Sequence, residues 1–388
     1  MNETIEAAAK VMAPRKNWRI AASAVIVCLM VAVLFCLMGT LLFSSGNALT
    51  SDAAGESAMS IMDKFDMNVT NEISKALDGV ITIKKTYWLS DDDLVAPMPD
   101  KKNYGQADTA AELAWLLEEA AELIDGQEML FNLDTPVWEK DKVYYYYDET
   151  ILVITWKQII DGMLFNMSEV KIAHPSQFRR FLAGGEFGSD KQFVPTEMAA
   201  SVNAVMATSG DFYKFRRNGV VVYDGQLQRF EGNLVDTCFI NDDGDLLLSY
   251  RRDFASQAEA EQFIEENNVR FSLVFGPILV DGGQVVKSDG YPLGEVTKEY
   301  TRAALCQMDP LHYLVVSVTG EPKNGVVKRP TIAKFAQKVA ELGVDKAYAL
   351  DGGQTTVICM DGEAISNPDF DTQRKISDII YFATAIRD

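Results

Sequence analysis

Two histidines, His174 and His312, are all that the 388 residues contain. That scarcity disfavours phosphodiesterases whose metals are held by imidazole, and it leaves Ser–His–Asp hydrolysis almost without a base. No GxSxG elbow, no Walker loop and no GxGxxG after a strand occurs either. Of five cysteines, Cys28 and Cys36 fall in an apolar run, leaving Cys238, Cys306 and Cys359. An odd set without CxxC spacing gives no disulfide framework, so the fold must rest on its core. Positive charge is short as well: 36 Lys and Arg against 56 Asp and Glu leave a net charge of −20. With no basic stripe to offset it, such a chain repels nucleic acid. Chemistry is left to carboxylates, arginines, amides and hydroxyls, and no cofactor or resident metal is expected.

One long apolar run is present. Ile20 to Phe43 carries no charge, and about 20 apolar residues suffice for a helix to span a bilayer core. Lys10, Arg15, Lys16 and Arg19 precede it, whereas Ser44 to Gly55 carries only Asp52. The positive side stays in the cytoplasm. Residues 1–19 are thus expected to be a cytoplasmic tail, 20–43 a single transmembrane anchor in the lipid bilayer, and the remainder extracytoplasmic. The run is longer than the roughly 7–15 residues of a signal-peptide core, which argues against cleavage.

Residues 44–60, rich in Ser, Ala, Gly and Asp, suit a linker. The 61–166 stretch is expected to be an accessory extracytoplasmic region. Within it, apolar positions at helical spacing predict a helix over 107–124 that Asp125-Gly126 stops. The β-branched and aromatic runs 143–147 and 151–156 predict a hairpin. Further on, 167–172 predicts a strand, 176–181 a short helix after His174-Pro175, and 198–206 another helix. Asp224-Gly225 predicts a type I′ hairpin between 220–223 and 226–229. A second Asp-Gly turn separates 238–240 from 246–250. Residues 255–266 predict a helix and 271–280 one buried strand. A C-terminal β-α-β unit is expected from 313–318, 331–342 and 347–350, its crossover long enough for parallel pairing. The fold class is α+β: a mixed sheet system with packed helices, preceded by one transmembrane helix.

Three loops draw attention: Ala207 to Tyr213 (ATSGDFY), Phe275 to Gly283 (FGPILVDGG) and Leu350 to Thr356 (LDGGQTT). Asp351 closes a buried strand ahead of two glycines, a place where α/β units open crevices and where bare backbone can present N–H groups to an oxyanion. Taken singly, each Asp-Gly is ordinary turn chemistry.

In the order TSGDFY, FGPILVDGG, YTRAALCQ, ALDGGQTT and KISDIIYFATA, these motifs resemble the phosphodiester glycosidase family over residues 167–388. The resemblance departs from the family at Gln354 and Thr355, where glycine and serine are usual, and in the Thr301 to Ala304 element, where the family often reads PRTA. It implies a hydrolase that removes an N-acetylglucosamine-like sugar from a glycosyl phosphodiester, here with cell-envelope glycopolymers as the expected partner. Asp351 and Asp211 are then the candidate carboxylate pair, roles unassigned, and Arg302 the phosphate clamp. Gly352, Gly353, Thr355, Thr356, Asn203, Gly210, Asp281 and His312 are expected around the substrate. For Arg302 an internal salt bridge, for Asn203 a helix-end hydrogen bond, for Asp281 a hairpin turn and for His312 a structural role remain open. Two rival classes also stay open: a non-catalytic carbohydrate-binding or envelope-assembly protein, and a metal-assisted phosphodiesterase using Asp242 and Asp243.

Overall fold

The computed structural model describes residue 89 and residues 95–387 apart from 212, 232–233, 293–295, 320–327 and 367–371. The expected tail, anchor and linker (1–60) lie outside the described residues. Among the described residues no helix is long and apolar enough to cross a membrane. Lys85–Asp388 form one compact unit.

The chain enters through strand β1 (Tyr104–Ala107) and then a broken helical stretch. The expected continuous helix is a 3-10 turn at Ala110–Leu113 followed by α1 (Ala114–Glu119) and α2 (Ala121–Ile124). Glu118 and Glu122 would be like-charged neighbours one turn apart, with no basic residue in either last turn, which favours the break. Strands β2 (Val143–Asp148), β3 (Ile151–Ile160) and β4 (Met163–Ile172) follow as an antiparallel meander. Asp148 Oδ1 accepts from the N–H groups of Thr150 (2.8 Å) and Ile151 (3.1 Å), fixing the expected β2–β3 turn.

Residues 175–177 form one 3-10 turn, but strand β5 (Phe178–Leu182) replaces the rest of the short helix expected there. Phe178 stacks on Phe382 at 4.7 Å, and that burial overrides local preference. Helix α3 (Pro195–Ser201) ends earlier than expected, and Met206–Ser209 becomes strand β6. The Asp224-Gly225 hairpin joins β7 (Gly219–Tyr223) to β8 (Gln226–Glu231), with Asp224 and Gly225 at φ 52° and 66° as a type I′ turn needs. Strands β9 (Thr237–Asn241) and β10 (Leu246–Ser249) flank the second Asp-Gly turn, before helix α4 (Gln257–Glu266).

The single strand expected over 271–280 is two, β11 (Val269–Leu273) and β12 (Ile278–Asp281), in different sheets. Gly276 at φ 70° and Pro277, which has no N–H to donate, break the run. After the short β13 (Gln284–Val285) come β14 (Arg302–Asp309) and β15 (His312–Thr319), then α5 (Ile332–Ala340) and β16 (Lys346–Leu350). The expected strand–helix–strand elements are present, and β15 and β16 run parallel. They are not neighbours, because β14 lies antiparallel between them. Strands β17 (Ile358–Met360), β18 (Glu363–Ala364) and β19 (Asp378–Phe382) complete the chain.

A nine-stranded sheet runs β1-β2-β3-β4-β15-β14-β16-β12-β13, and a five-stranded one β18-β17-β6-β19-β5. The α+β class stands, with few helices. The 104–166 part of the accessory stretch is thus continuous with the sheet that carries β14 and β16. The central strands β3, β4, β14 and β15 are largely buried because both faces of the sheet are covered there. Ile154, Trp156, Val316 and Ala349 face a core shared with Phe335 of α5. Val153, Val315, Tyr348 and Leu350 face a second core with Phe178, Met206 and Phe382.

Candidate active site

Ala303 of β14 lies opposite Leu350 of β16, so Arg302 and Asp351 stand at the same end of two neighbouring strands. Beyond Leu350 the chain turns through Gly352 and a 3-10 turn, Gly353–Thr355. A Cβ on Gly352 would run into the carbonyl of Thr301, and Gly353 N–H donates to that same oxygen at 3.3 Å. Gly353 takes φ 71°, a conformation that glycine holds without strain. The Thr355 hydroxyl donates to Gly352 O (2.8 Å) and the Thr356 hydroxyl to Gly353 O (2.6 Å). Both threonines therefore brace the loop in this state.

The Asp351 carboxylate, its side chain 14% exposed, meets the guanidinium of Arg374 at 2.6 Å. Arg374 N–H also donates to Gln354 O, and the Gln354 amide donates to the Thr372 hydroxyl at 2.7 Å. Gln354, where the resembled family has glycine, thus ties the DGG loop to the segment that delivers the arginine. Burial raises the pKa of Asp351; the charge of Arg374, the Gly352 N–H and the charge of Arg216 pull against that rise. Arg216 comes from the loop after TSGDFY; it donates to Phe275 O at 2.7 Å and lies over the Phe275 ring at 4.8 Å. Arg302 donates to Lys298 O at 2.7 Å and lies 5.4 Å from the Tyr300 ring. One end of β14 and β16 therefore gathers a carboxylate, an adjoining guanidinium, glycine backbone and two further arginines nearby.

Asp211 is close in the chain to Arg216, but its own carboxylate turns inward. With side-chain exposures of 0% and 1%, Asp211 and Arg180 pair at 3.0 Å, and Arg180 also pairs with Asp378 at 2.8 Å. Asp211 further accepts from Tyr213 N–H (2.5 Å) and Val274 N–H (2.9 Å), so it fixes the two loops that flank the crevice. Gly210 leaves room for Asp378, whose carboxylate a Cβ there would strike. Burial, then the neighbouring Asp211 charge, raises the pKa of Asp378 against the pull of Arg180.

The remaining candidates sit elsewhere. Asn203, at φ 55° after α3, donates from its amide to Ala96 O at 2.8 Å. Asp281 accepts from the Tyr250 hydroxyl at 2.9 Å, ahead of the Gly282-Gly283 hairpin turn. His312 is fully buried, its Nε2 2.8 Å from Glu169, a carboxylate that also accepts from Leu130 and Phe131 N–H. Asp243 belongs to a turn in which Asn241 Oδ1 accepts its N–H at 3.1 Å. Among the described residues no group of three or more His, Cys, Asp or Glu is placed to hold a metal ion.

A family model described as phosphodiester glycosidase matches residues 202–383. The chain carries a phosphodiester glycosidase domain. Among solved structures, a hypothetical protein from Synechocystis aligns at 14% identity and TM-score 0.44, over 64% of each chain. This chain thus spans just under two thirds of that protein. The zebrafish N-acetylglucosamine-1-phosphodiester alpha-N-acetylglucosaminidase catalytic domain, auto-inhibited by its pro-peptide, aligns at 16% identity and TM-score 0.48, over 68% of this chain and 92% of that one. No curated protein matches the chain. Asp351, Arg302, Arg374, Arg216 and Asp211 all lie inside the phosphodiester glycosidase domain; Arg180 lies before it. Arg374, Arg216, Arg180 and Asp378 escaped the sequence reading. Asp378 stood within the KISDIIYFATA motif, and Arg374 immediately before it, but only the folded chain brings them to Asp211 and Asp351.

Proposed function

We propose that the phosphodiester glycosidase domain cleaves the C1–O bond of a glycosyl phosphodiester, with Asp351 at the sugar carbon and Arg374 at the phosphate. The observation that carries this reading is the 2.6 Å pair of Asp351 and Arg374 at the mouth of a glycine-walled strand end. A phosphate leaving group is already a stable anion, so the reaction needs little acid assistance. It needs a carboxylate to stabilise or capture the cationic sugar carbon and a cation to hold the departing charge. The C1–O bond breaks with its electron pair passing to the phosphate oxygen, which Arg374 neutralises. A water oxygen supplies the new C1–O bond, and its proton passes to the carboxylate side of the crevice. Free reducing sugar and a phosphomonoester result. Arg302 and Arg216 extend the cationic wall on which the rest of an anionic substrate rests.

The sugar in this reading is N-acetylglucosamine-like, and the substrate is a cell-envelope glycopolymer presented outside the membrane. Residues 20–43 would anchor the enzyme, since that run is apolar and is preceded by four basic residues. Incubating the full chain with a glycosyl phosphodiester and analysing the products tests the chemistry. Reducing sugar that disappears in Asp351→Asn is expected; sugar 1-phosphate would mean scission at phosphorus and would end the proposal. Protease added to intact cells tests the location: a protected C-terminal domain would refute an outward one.

A further inference from the structure

A concavity of about 750 Å³ is lined by none of Asp351, Arg374, Arg302 and Arg216. It lies between the edge strand β5, the tip of the β7–β8 hairpin, α4 and the start of β11. Its size falls within the range of about 300–1,000 Å³ that small-molecule sites occupy.

The walls are fixed before anything binds. Gly225 N–H donates to Arg270 O at 2.8 Å, which ties the hairpin tip to β11. Arg270 donates to the carbonyls of Pro175 (3.1 Å) and Phe178 (3.3 Å), which ties β11 to β5. Arg179, Phe271 and Tyr381 form a buried floor, and Tyr223 a half-buried wall. Exposed acceptors ring the mouth: Asp224 on the turn, Asp242, and Glu261 and Glu265 one helical turn apart on α4. The amides of Gln226 and Asn268 stand among them. Glu261 also accepts from the Gln257 amide at 2.8 Å, while Glu261 and Glu265 repel each other across one helical turn.

Each chemical feature narrows the ligand. Four exposed carboxylates set against Arg179, Arg180 and Arg270 in the walls leave little net charge to draw an ion of either sign, and the polar lining disfavours a purely apolar guest. These carboxylates do not form a metal cage, since no group of three is placed to hold an ion among the described residues. Hydroxyl groups suit this lining: they donate to carboxylates and amide oxygens and accept from amide N–H groups. Aromatic side chains with one apolar face suit the C–H face of a pyranose ring.

We infer that this groove is a non-catalytic binding site for a neutral glycan segment. It would hold polymer while the separate Asp351 crevice acts on a phosphodiester, and its occupation does not depend on that activity. Floor and crevice are joined by contacts: Arg180 lines the groove and pairs with Asp211, which accepts from Val274 N–H, beside the Phe275 carbonyl held by Arg216.

Calorimetric titration of the full chain with a neutral N-acetylglucosamine tetramer, which has no phosphodiester to hydrolyse, tests the inference. A glucosamine tetramer and an oligogalacturonate serve as cationic and anionic arms. Saturable binding of the neutral tetramer is expected, weakened at least tenfold by the Glu261→Gln/Glu265→Gln pair and by Tyr223→Ala. Hydrolysis of a small glycosyl phosphodiester should be unchanged in the exposed-helix double variant, which also controls for folding. No binding of the neutral tetramer at millimolar concentration, binding of the cationic arm alone, or binding indifferent to both variants would overturn it.

Discussion

Replacing Arg180 by methionine keeps the aliphatic stem but removes the charge from the centre of the domain. Asp211 and Asp378, both with 0% side-chain exposure, would then face each other without a counter-ion. Breaking a buried ion pair from one side costs about 3–5 kcal/mol, a large share of the roughly 5–15 kcal/mol that holds a typical domain together. The cost must depend on pH, and its sign follows from linkage. Asp378 already has a raised pKa in the folded protein through burial and the Asp211 charge. The folded state therefore holds a proton that the unfolded state releases near its ordinary value of about 3.9. Stability from that proton is present at low pH and is lost as pH rises toward the folded value. Without Arg180 the pull that limits this rise is gone, so the variant's deficit should be greatest near neutrality and shrink toward pH 4.5. Urea unfolding followed by tryptophan fluorescence, with wild type measured beside the variant at each pH, gives the difference directly. Adding Asp211→Asn and Asp378→Asn together should recover much of the loss. A deficit under about 1 kcal/mol, or one equal at both pH values, would falsify the buried-charge account.

Asp351→Asn should lower kcat about 10²–10⁴-fold while leaving the unfolding midpoint nearly unchanged, as read by initial rates and thermal melts. Arg374→Ala should raise KM for a phosphodiester and move the acid limb of kcat/KM to higher pH, because Arg374 opposes the burial that raises the Asp351 pKa; an unmoved limb would remove Arg374 from the site. Gly352→Ala should spread β14 from the DGG loop, since the new methyl meets the Thr301 carbonyl rather than a flexible side chain; a stability loss of about 1–3 kcal/mol and a larger loss of rate are expected. Cys238, Cys306 and Cys359 are buried and free, and burial raises the pKa of each thiol. Native protein should accordingly resist iodoacetamide and melt at the same temperature with or without reductant.

Where local chemistry decides structure, the sequence was easy to read. The Asp224-Gly225 hairpin, the β2–β3 turn and α5 are each specified by neighbours within a few positions. Strand β14 was missed because Ala303-Ala304-Leu305 has no intrinsic strand preference; only its burial between β15 and β16 imposes extension. Splitting 271–280 required knowing that β11 and β12 join different sheets. At the site, a carboxylate followed by two glycines was visible as a pattern. Its guanidinium partner lies 23 residues away, and the partners of Asp211 lie 31 and 167 residues away. Such pairings are set by sheet order, which no local window contains.

Similarity and foldability draw different borders on this chain. The matched family span begins at residue 202, yet β15 takes its outer neighbour from β4 and β19 takes its own from β5, both upstream of that point. A polypeptide started at residue 202 would open two raw sheet edges to intermolecular pairing and strand two acids in the interior without their arginine. Soluble, active protein should therefore require the upstream meander as well as the stretch that bears the recognisable motifs.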